Sequence, residues 1–211
     1  FGNIVNEEIL VRYLACAKKI REDYPDLPKA LMGHSMGSFI ARYIAAYFPD
    51  TASAYIFMGT AGRNPVLFAG KTLAAVRSVF GHRRRPDNVI NNLCFGAYAK
   101  GVKNSRTSFD WLSADEKEVD KYIEDENCGF PFTTAGFAAL FHGLGKVSGK
   151  KWAKKLDKNK PYLLLAGTDD PVGNYAKGVV EVYDNMCFAG VKDVDIKLYE
   201  GGRHETLNDS M

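Results

Sequence analysis

Ala30-Leu31-Met32-Gly33-His34-Ser35-Met36-Gly37-Ser38, residues 30–38, decides how this chain folds. Three apolar residues form a short run that reads as a buried strand, and the run feeds directly into Gly33. After Gly37, the residues Phe39, Ile40, Tyr43, Ile44 and Tyr47 recur at helical spacing as far as Pro49. The five residues between, Gly33-His34-Ser35-Met36-Gly37, match G-x-S-x-G. That pattern has chemical meaning where a strand runs straight into a helix, because the turn is then so tight that the serine backbone is strained and its hydroxyl stands clear of the sheet. The glycines at 33 and 37 are expected to prevent backbone clashes in the turn. The helix that follows points its free N–H groups and positive dipole end at the same spot. Ser35 is therefore a candidate nucleophile.

The rest of the chain supplies a sheet for this turn. Before it, Asn6-Glu7-Glu8 has the character of a helix start, with a cap residue and then acids at the positive end of the dipole. An apolar stripe of Ile9, Leu10, Tyr13, Leu14, Ala17 and Ile20 follows, closed by Pro25 and Pro28. Ala52–Met58 reads as a second buried strand, broken by Gly59-Thr60-Ala61-Gly62. Tyr162–Ala166 and Val194–Tyr199 read as a third and fourth, with a helix predicted over residues 173–189 between them. Helix, strand, helix, strand in alternation implies an α/β fold with a parallel sheet and right-handed crossovers. Residues 63–157 carry helical patterns and apolar blocks such as Val66-Leu67-Phe68-Ala69 and Phe137-Ala138-Ala139-Leu140-Phe141, without a convincing strand. They are expected to form a helical cap inserted into a core made of residues 1–62 and 158–211, since so long a stretch without structure of its own is implausible.

Composition bounds the function. Apolar residues make up 46% and charged residues 25% of 211, which fits a globular domain with a real core. A net charge of +3 from dispersed basic residues argues against a nucleic-acid partner. The one dense run, Arg83-Arg84-Arg85, reads as a solvated surface loop in preference to a phosphate or membrane contact. No apolar run approaches the ~18–20 residues of a membrane span. Cys16, Cys94, Cys128 and Cys187 are far apart, so a metal cluster or disulfide framework is not expected, and reduced core thiols in a cytoplasmic protein are. No signal peptide is evident. The chain starts at Phe1, however, which is compatible with removal or omission of an N-terminal signal.

A serine hydroxyl needs a general base, and the base needs an orienting acid. In a parallel sheet these partners should follow in the order Ser, acid, His, each beyond the carboxyl end of a later strand. His34 is held within the turn and is expected to be structural, while His82 and His142 lie in the insertion. His204 follows the last strand through Glu200-Gly201-Gly202-Arg203, where the base belongs. The third strand ends in Gly167-Thr168-Asp169-Asp170-Pro171, which offers two adjacent carboxylates that chemistry alone does not separate.

Gly33–Gly37, Gly167–Val172 and Tyr199–Glu205 together resemble the α/β-hydrolase superfamily, and within it the monoacylglycerol lipase and lysophospholipase branch, also called serine aminopeptidase-like hydrolases. Ser108–Leu112 and Asp125–Phe130 resemble parts of that branch's helical cap. The resemblance places the catalytic acid at the third position after the strand-ending glycine, which is Asp170, with Asp169 as the fallback. It implies a two-step acyl transfer by Ser35, His204 and Asp170, with the Met36 N–H as one oxyanion donor and no metal or organic cofactor. The implied substrate is a small ester, lipid-like in view of the apolar insertion, such as a monoacylglycerol or lysophospholipid. A peptidase, an acyltransferase or a perhydrolase would use the same triad, and an inactive binding protein is a further alternative. The oligomeric state is left open. In this superfamily the nucleophile usually follows four or five strands, whereas Ser35 comes early. The expectation is therefore an incomplete domain whose first strands, with the second oxyanion donor, lie outside this chain.

Overall fold

The computed structural model describes residues 8–63 and 66–209. Asn6 and Glu7 lie outside the described residues, as do the side chains of Ile9 and of residues 66–68. Four strands, β1 (Ala30–His34), β2 (Ala54–Met58), β3 (Pro161–Gly167) and β4 (Asp193–Tyr199), form one parallel sheet in the order 1-2-3-4. Helix α1 (Glu8–Asp23) leads into β1, and α2 (Met36–Tyr47) connects β1 to β2. Between β2 and β3 come α3 (Val66–Arg77), α4 (Asn88–Phe95), α5 (Glu116–Glu124), α6 (Thr134–Lys146) and the short α7 (Lys150–Ala153). Helix α8 (Lys177–Phe188) joins β3 to β4.

Element boundaries differ from the sequence reading where local hydrogen bonding decides them. β1 runs on to His34 because Gly33 and His34 still pair with Phe57 and Met58. β2 starts two residues late, after a 3-10 turn over Pro49–Thr51. Helix α8 starts at Lys177, not 173, because Asn174, Tyr175 and Ala176 all have positive φ. There the chain makes a turn under the end of β3, with the Tyr175 N–H donating to the Asp170 carbonyl at 2.9 Å.

The main core lies where α2 meets the sheet. Tyr55, Phe57, Tyr162 and Leu164 are buried on the strands, against Ile40, Ile44 and Ala45 of α2 and Val179, Val182 and Met186 of α8. Tyr55 stacks on Tyr162, and Trp152 meets Phe57 edge-on. Each such aromatic or aliphatic side chain contributes about 1.5–3 kcal/mol by leaving water. Leu144, Val147, Trp152 and Leu156, from the end of the segment between β2 and β3, belong to this same core. A second cluster, Ala74, Ile90, Phe137 and Phe141, joins α3, α4 and α6.

Two sequence expectations are corrected here. The α1 stripe is only partly seated: Leu10 and Leu14 touch the core, whereas Tyr13 and Ile20 are exposed. The cysteines are free thiols, but not core ones, since Cys16 and Cys187 are exposed and Cys94 and Cys128 half-buried.

Candidate active site

All the candidate residues stand at the carboxyl end of the parallel sheet, where loops from successive strands converge. Ser35 sits between β1 and α2 with φ 53° and ψ −123°, a conformation that costs a non-glycine residue about 1–3 kcal/mol. Its N–H donates to the Met58 carbonyl at 3.0 Å, and its carbonyl accepts from the Ser38 N–H at 2.9 Å and from Ser38 Oγ at 2.5 Å. A side chain at position 33 would put its Cβ 2.2 Å from the Gly37 carbonyl oxygen, so Gly33 is a steric requirement of the turn. Position 37 is different. A Cβ there meets nothing within 4 Å among the described residues, which corrects the expectation that both glycines are needed against clashes. Met36 is the first residue of α2, so its N–H is one of the first-turn amides without an intrahelical acceptor.

The loops after β3 and β4 are fastened to each other. The Thr168 N–H donates to Tyr199 O, the Asp169 N–H to Gly202 O and the Gly201 N–H to Thr168 Oγ1, each at 2.9 Å. Gly167 makes the closest approach: a Cβ there would lie 1.9 Å from Gly202 O. This fastening brings His204 Nδ1 to 2.9 Å from Asp170 Oδ2, with His204 3% and Asp170 0% exposed. The other Asp170 oxygen accepts the Val172 N–H at 2.8 Å. A carboxylate only accepts, so Nδ1 is the donor of this hydrogen bond. Asp169 points its side chain into solvent, so the geometry separates the two adjacent acids. Among the described residues no hydrogen bond joins Ser35 Oγ to His204.

His34 lies beside the pair. Its ring is 4.7 Å from that of His204, and its Nε2–H donates to the His204 carbonyl at 3.0 Å. Burial, and then the proximity of His204, lower the pKa of His34 from 6.5. Both rings rest on Gly59, at the end of β2, where φ is 54° and a Cβ would stand 3.0 Å from His204 Cε1.

Several contributors escaped the sequence reading. Trp111 packs at 5.3 Å from the His204 ring and belongs to an aromatic series through Phe95 to Phe137. Arg203 Nη1 donates to the carbonyls of Asp110 and Ser113, both at 2.7 Å, while the His204 and Glu205 N–H groups donate to Trp111 O and Leu112 O. Beneath the turn, Arg42 of α2 is wholly buried. Its guanidinium bonds Thr60 Oγ1, Ala61 O and Val147 O and stacks 4.4 Å over Trp152. The Thr60 hydroxyl in turn donates to Ser38 Oγ, 2.9 Å away, so a chain of polar contacts runs from Ser35 O to Arg42. An arginine on the apolar face of a predicted helix was the visible signal for that network. Gly59 was visible only as a strand breaker. Among the described residues no group of three His, Cys, Asp or Glu could hold a metal ion.

A strained G-x-S-x-G turn, a parallel sheet in the order 1-2-3-4 and a His–Asp pair in the loops after its last two strands are the features of an α/β-hydrolase. The family model described as Serine aminopeptidase, S33 matches residues 2–211, and the chain belongs to that family. It is 30% identical over 186 residues to the monoglyceride lipase of Homo sapiens, covering 88% of this chain and 54% of that protein. It is 28% identical over 192 residues to a monoacylglycerol lipase of Mycolicibacterium smegmatis, covering 89% of this chain and 59% of that one. Among solved structures, a thermostable carboxyl esterase from Bacillus coagulans in complex with glycerol superposes with a TM-score of 0.88 at 30% identity, over 94% of this chain and 64% of the other. The chain thus spans little more than half the length of the curated relatives it matches.

Proposed function

We propose that this chain carries the reacting groups of a serine hydrolase that cleaves carboxylic esters of lipid-like substrates, such as monoacylglycerols or lysophospholipids. The observation that carries the proposal is the buried 2.9 Å His204–Asp170 pair, set against the strained Ser35 turn by His34 and Gly59. In the proposed reaction His204 Nε2 takes the Ser35 Oγ proton as the hydroxyl attacks the ester carbonyl. Asp170 holds Nδ1–H and stabilises the imidazolium, and the Met36 N–H donates to the developing oxyanion. His204 then protonates the departing alcohol, and water attacks the acyl-enzyme with the same base. The lipid-like substrate class rests on the half-buried rings of Trp111 and Phe95, backed by the buried Phe137, as an apolar wall for an acyl chain beginning at His204. It is supported by the lipase and esterase names of the relatives.

Labelling with a fluorophosphonate tests the nucleophile. The wild type should form a covalent adduct and Ser35→Ala none, with His204→Ala slowed by about 10⁴-fold or more. An adduct that survives Ser35→Ala, or no adduct at all, defeats the assignment. A chain-length series of p-nitrophenyl esters, run beside aminoacyl p-nitroanilides, then separates a lipid esterase from the aminopeptidase that the family description names.

A further inference from the structure

We propose that Ser38 and Thr60, backed by Arg42, are positioning residues that aim the Met36 N–H at the oxyanion. This role rests on the reading of Ser35 as the nucleophile and of Met36 as an oxyanion donor. The Ser35 carbonyl and the Met36 N–H belong to one planar trans peptide unit, so they point in opposite directions. Whatever fixes the carbonyl therefore fixes the direction of the N–H. The Ser35 carbonyl accepts twice from one residue, from the Ser38 N–H at 2.9 Å and from Ser38 Oγ at 2.5 Å. The first of these bonds already satisfies the oxygen. The second holds it from another direction and draws electron density toward it, which makes the N–H at the far end of the peptide a better donor.

The hydroxyl that does this is itself held. Ser38 has one hydroxyl proton and gives it to Ser35 O, so Ser38 Oγ accepts the Thr60 hydroxyl proton at 2.9 Å. Thr60 Oγ1 in turn accepts from Arg42 Nη1 at 3.1 Å. Every donor along the chain points the same way, from a guanidinium toward the place where negative charge develops. Ser38, Thr60 and Arg42 are each 0% exposed. Away from water, aligned bonds strengthen one another and the charge at their head is poorly screened. Among the described residues no carboxylate pairs with Arg42; Glu181, which acts on it electrostatically, pairs with Arg63 at 4.0 Å instead. Attachment of the segment between β2 and β3 does not account for the arrangement. Arg42 reaches that segment through Val147 O, a bond that needs neither Thr60 nor Ser38.

The test is hydrolysis of p-nitrophenyl butyrate by the full chain. Ser38→Ala favours the helix and Thr60→Val keeps the side-chain shape, so both variants should fold. Each should lose about tenfold in kcat, the equivalent of one hydrogen bond, with KM unchanged. Ser38→Ala/Thr60→Val should lose no more than Ser38→Ala, because Thr60 acts through Ser38. Thr60→Ser keeps the hydroxyl and should recover most of the loss. The Met36 amide proton and nitrogen resonances should move upfield in both single variants, a readout independent of turnover. A kcat within about twofold of wild type in Ser38→Ala overturns the proposal, as do losses that multiply in the double variant or Met36 resonances that stay in place. Fluorophosphonate labelling separates these outcomes from the hydrolase assignment. Wild type labelled at Ser35, with both single variants labelled at the wild-type rate, sinks the positioning role alone, whereas wild type unlabelled at Ser35 sinks both.

Discussion

His34 and His204 face each other at 4.7 Å, yet their surroundings differ. His204 has a carboxylate on Nδ1, whereas His34 has only a carbonyl on Nε2 and a second imidazole beside it. Burial and that neighbour hold the folded-state pKa of His34 below its ordinary 6.5. A group whose pKa is depressed on folding binds more protons when unfolded, so stability is retained above 6.5 and falls as pH drops below it. His34→Gln keeps a donor for the His204 carbonyl and cannot titrate. Urea denaturation between pH 7.5 and 5 should therefore show a steeper loss for wild type than for His34→Gln. Equal slopes would mean that His34 protonates in the folded state without penalty. At this scale the sequence was legible in kind but not in direction. Asp169 and Asp170 are chemically alike; they separate because the Asp169 N–H is committed to Gly202, leaving one side chain outward and the other buried against His204.

The elements were largely legible because the first three strands are apolar runs, the fourth alternates Val194, Ile196 and Leu198 with Asp195, Lys197 and Tyr199, and the helices that join them carry apolar stripes. What the pattern missed were the turns at strand ends, where tight local turns and hydrogen bonds between loops set the boundary. Residues 173–176 carry helical spacing, yet the turn that seats Asp170 holds them out of the helix. The loops after β3 and β4 show the same dependence. They bring Asp170 and His204 together only because Gly167 lets the Gly202 carbonyl approach within the space of a methyl group. Gly167→Ala should separate the loops, cost about 3 kcal/mol in chemical denaturation and slow fluorophosphonate labelling. A variant with wild-type stability and labelling would show that the loops move apart without moving His204.

Across the whole molecule, the long segment between β2 and β3 is joined to the sheet by two arginines. Arg42 is enclosed so completely that burial lowers its pKa to about 9. Removing it strands the acceptors it satisfies. Arg42→Met should destabilise the protein by about 3 kcal/mol, with Trp152 fluorescence reporting a looser environment. A loss below about 1 kcal/mol would mean that the buried cation is dispensable. Sequence reading could place the segment but not these ties, since an arginine's acceptors are not written in its neighbours. The acceptors themselves are mostly of one kind. Arg42 holds Ala61 O and Val147 O, Arg203 holds Asp110 O and Ser113 O, and the His204 and Glu205 amides hold Trp111 O and Leu112 O. Every residue type offers a carbonyl, so mutation of the gripped positions leaves the attachment in place as long as the backbone path is kept. The side chains of that segment can therefore change over evolutionary time without releasing it from the sheet that carries Ser35, Asp170 and His204.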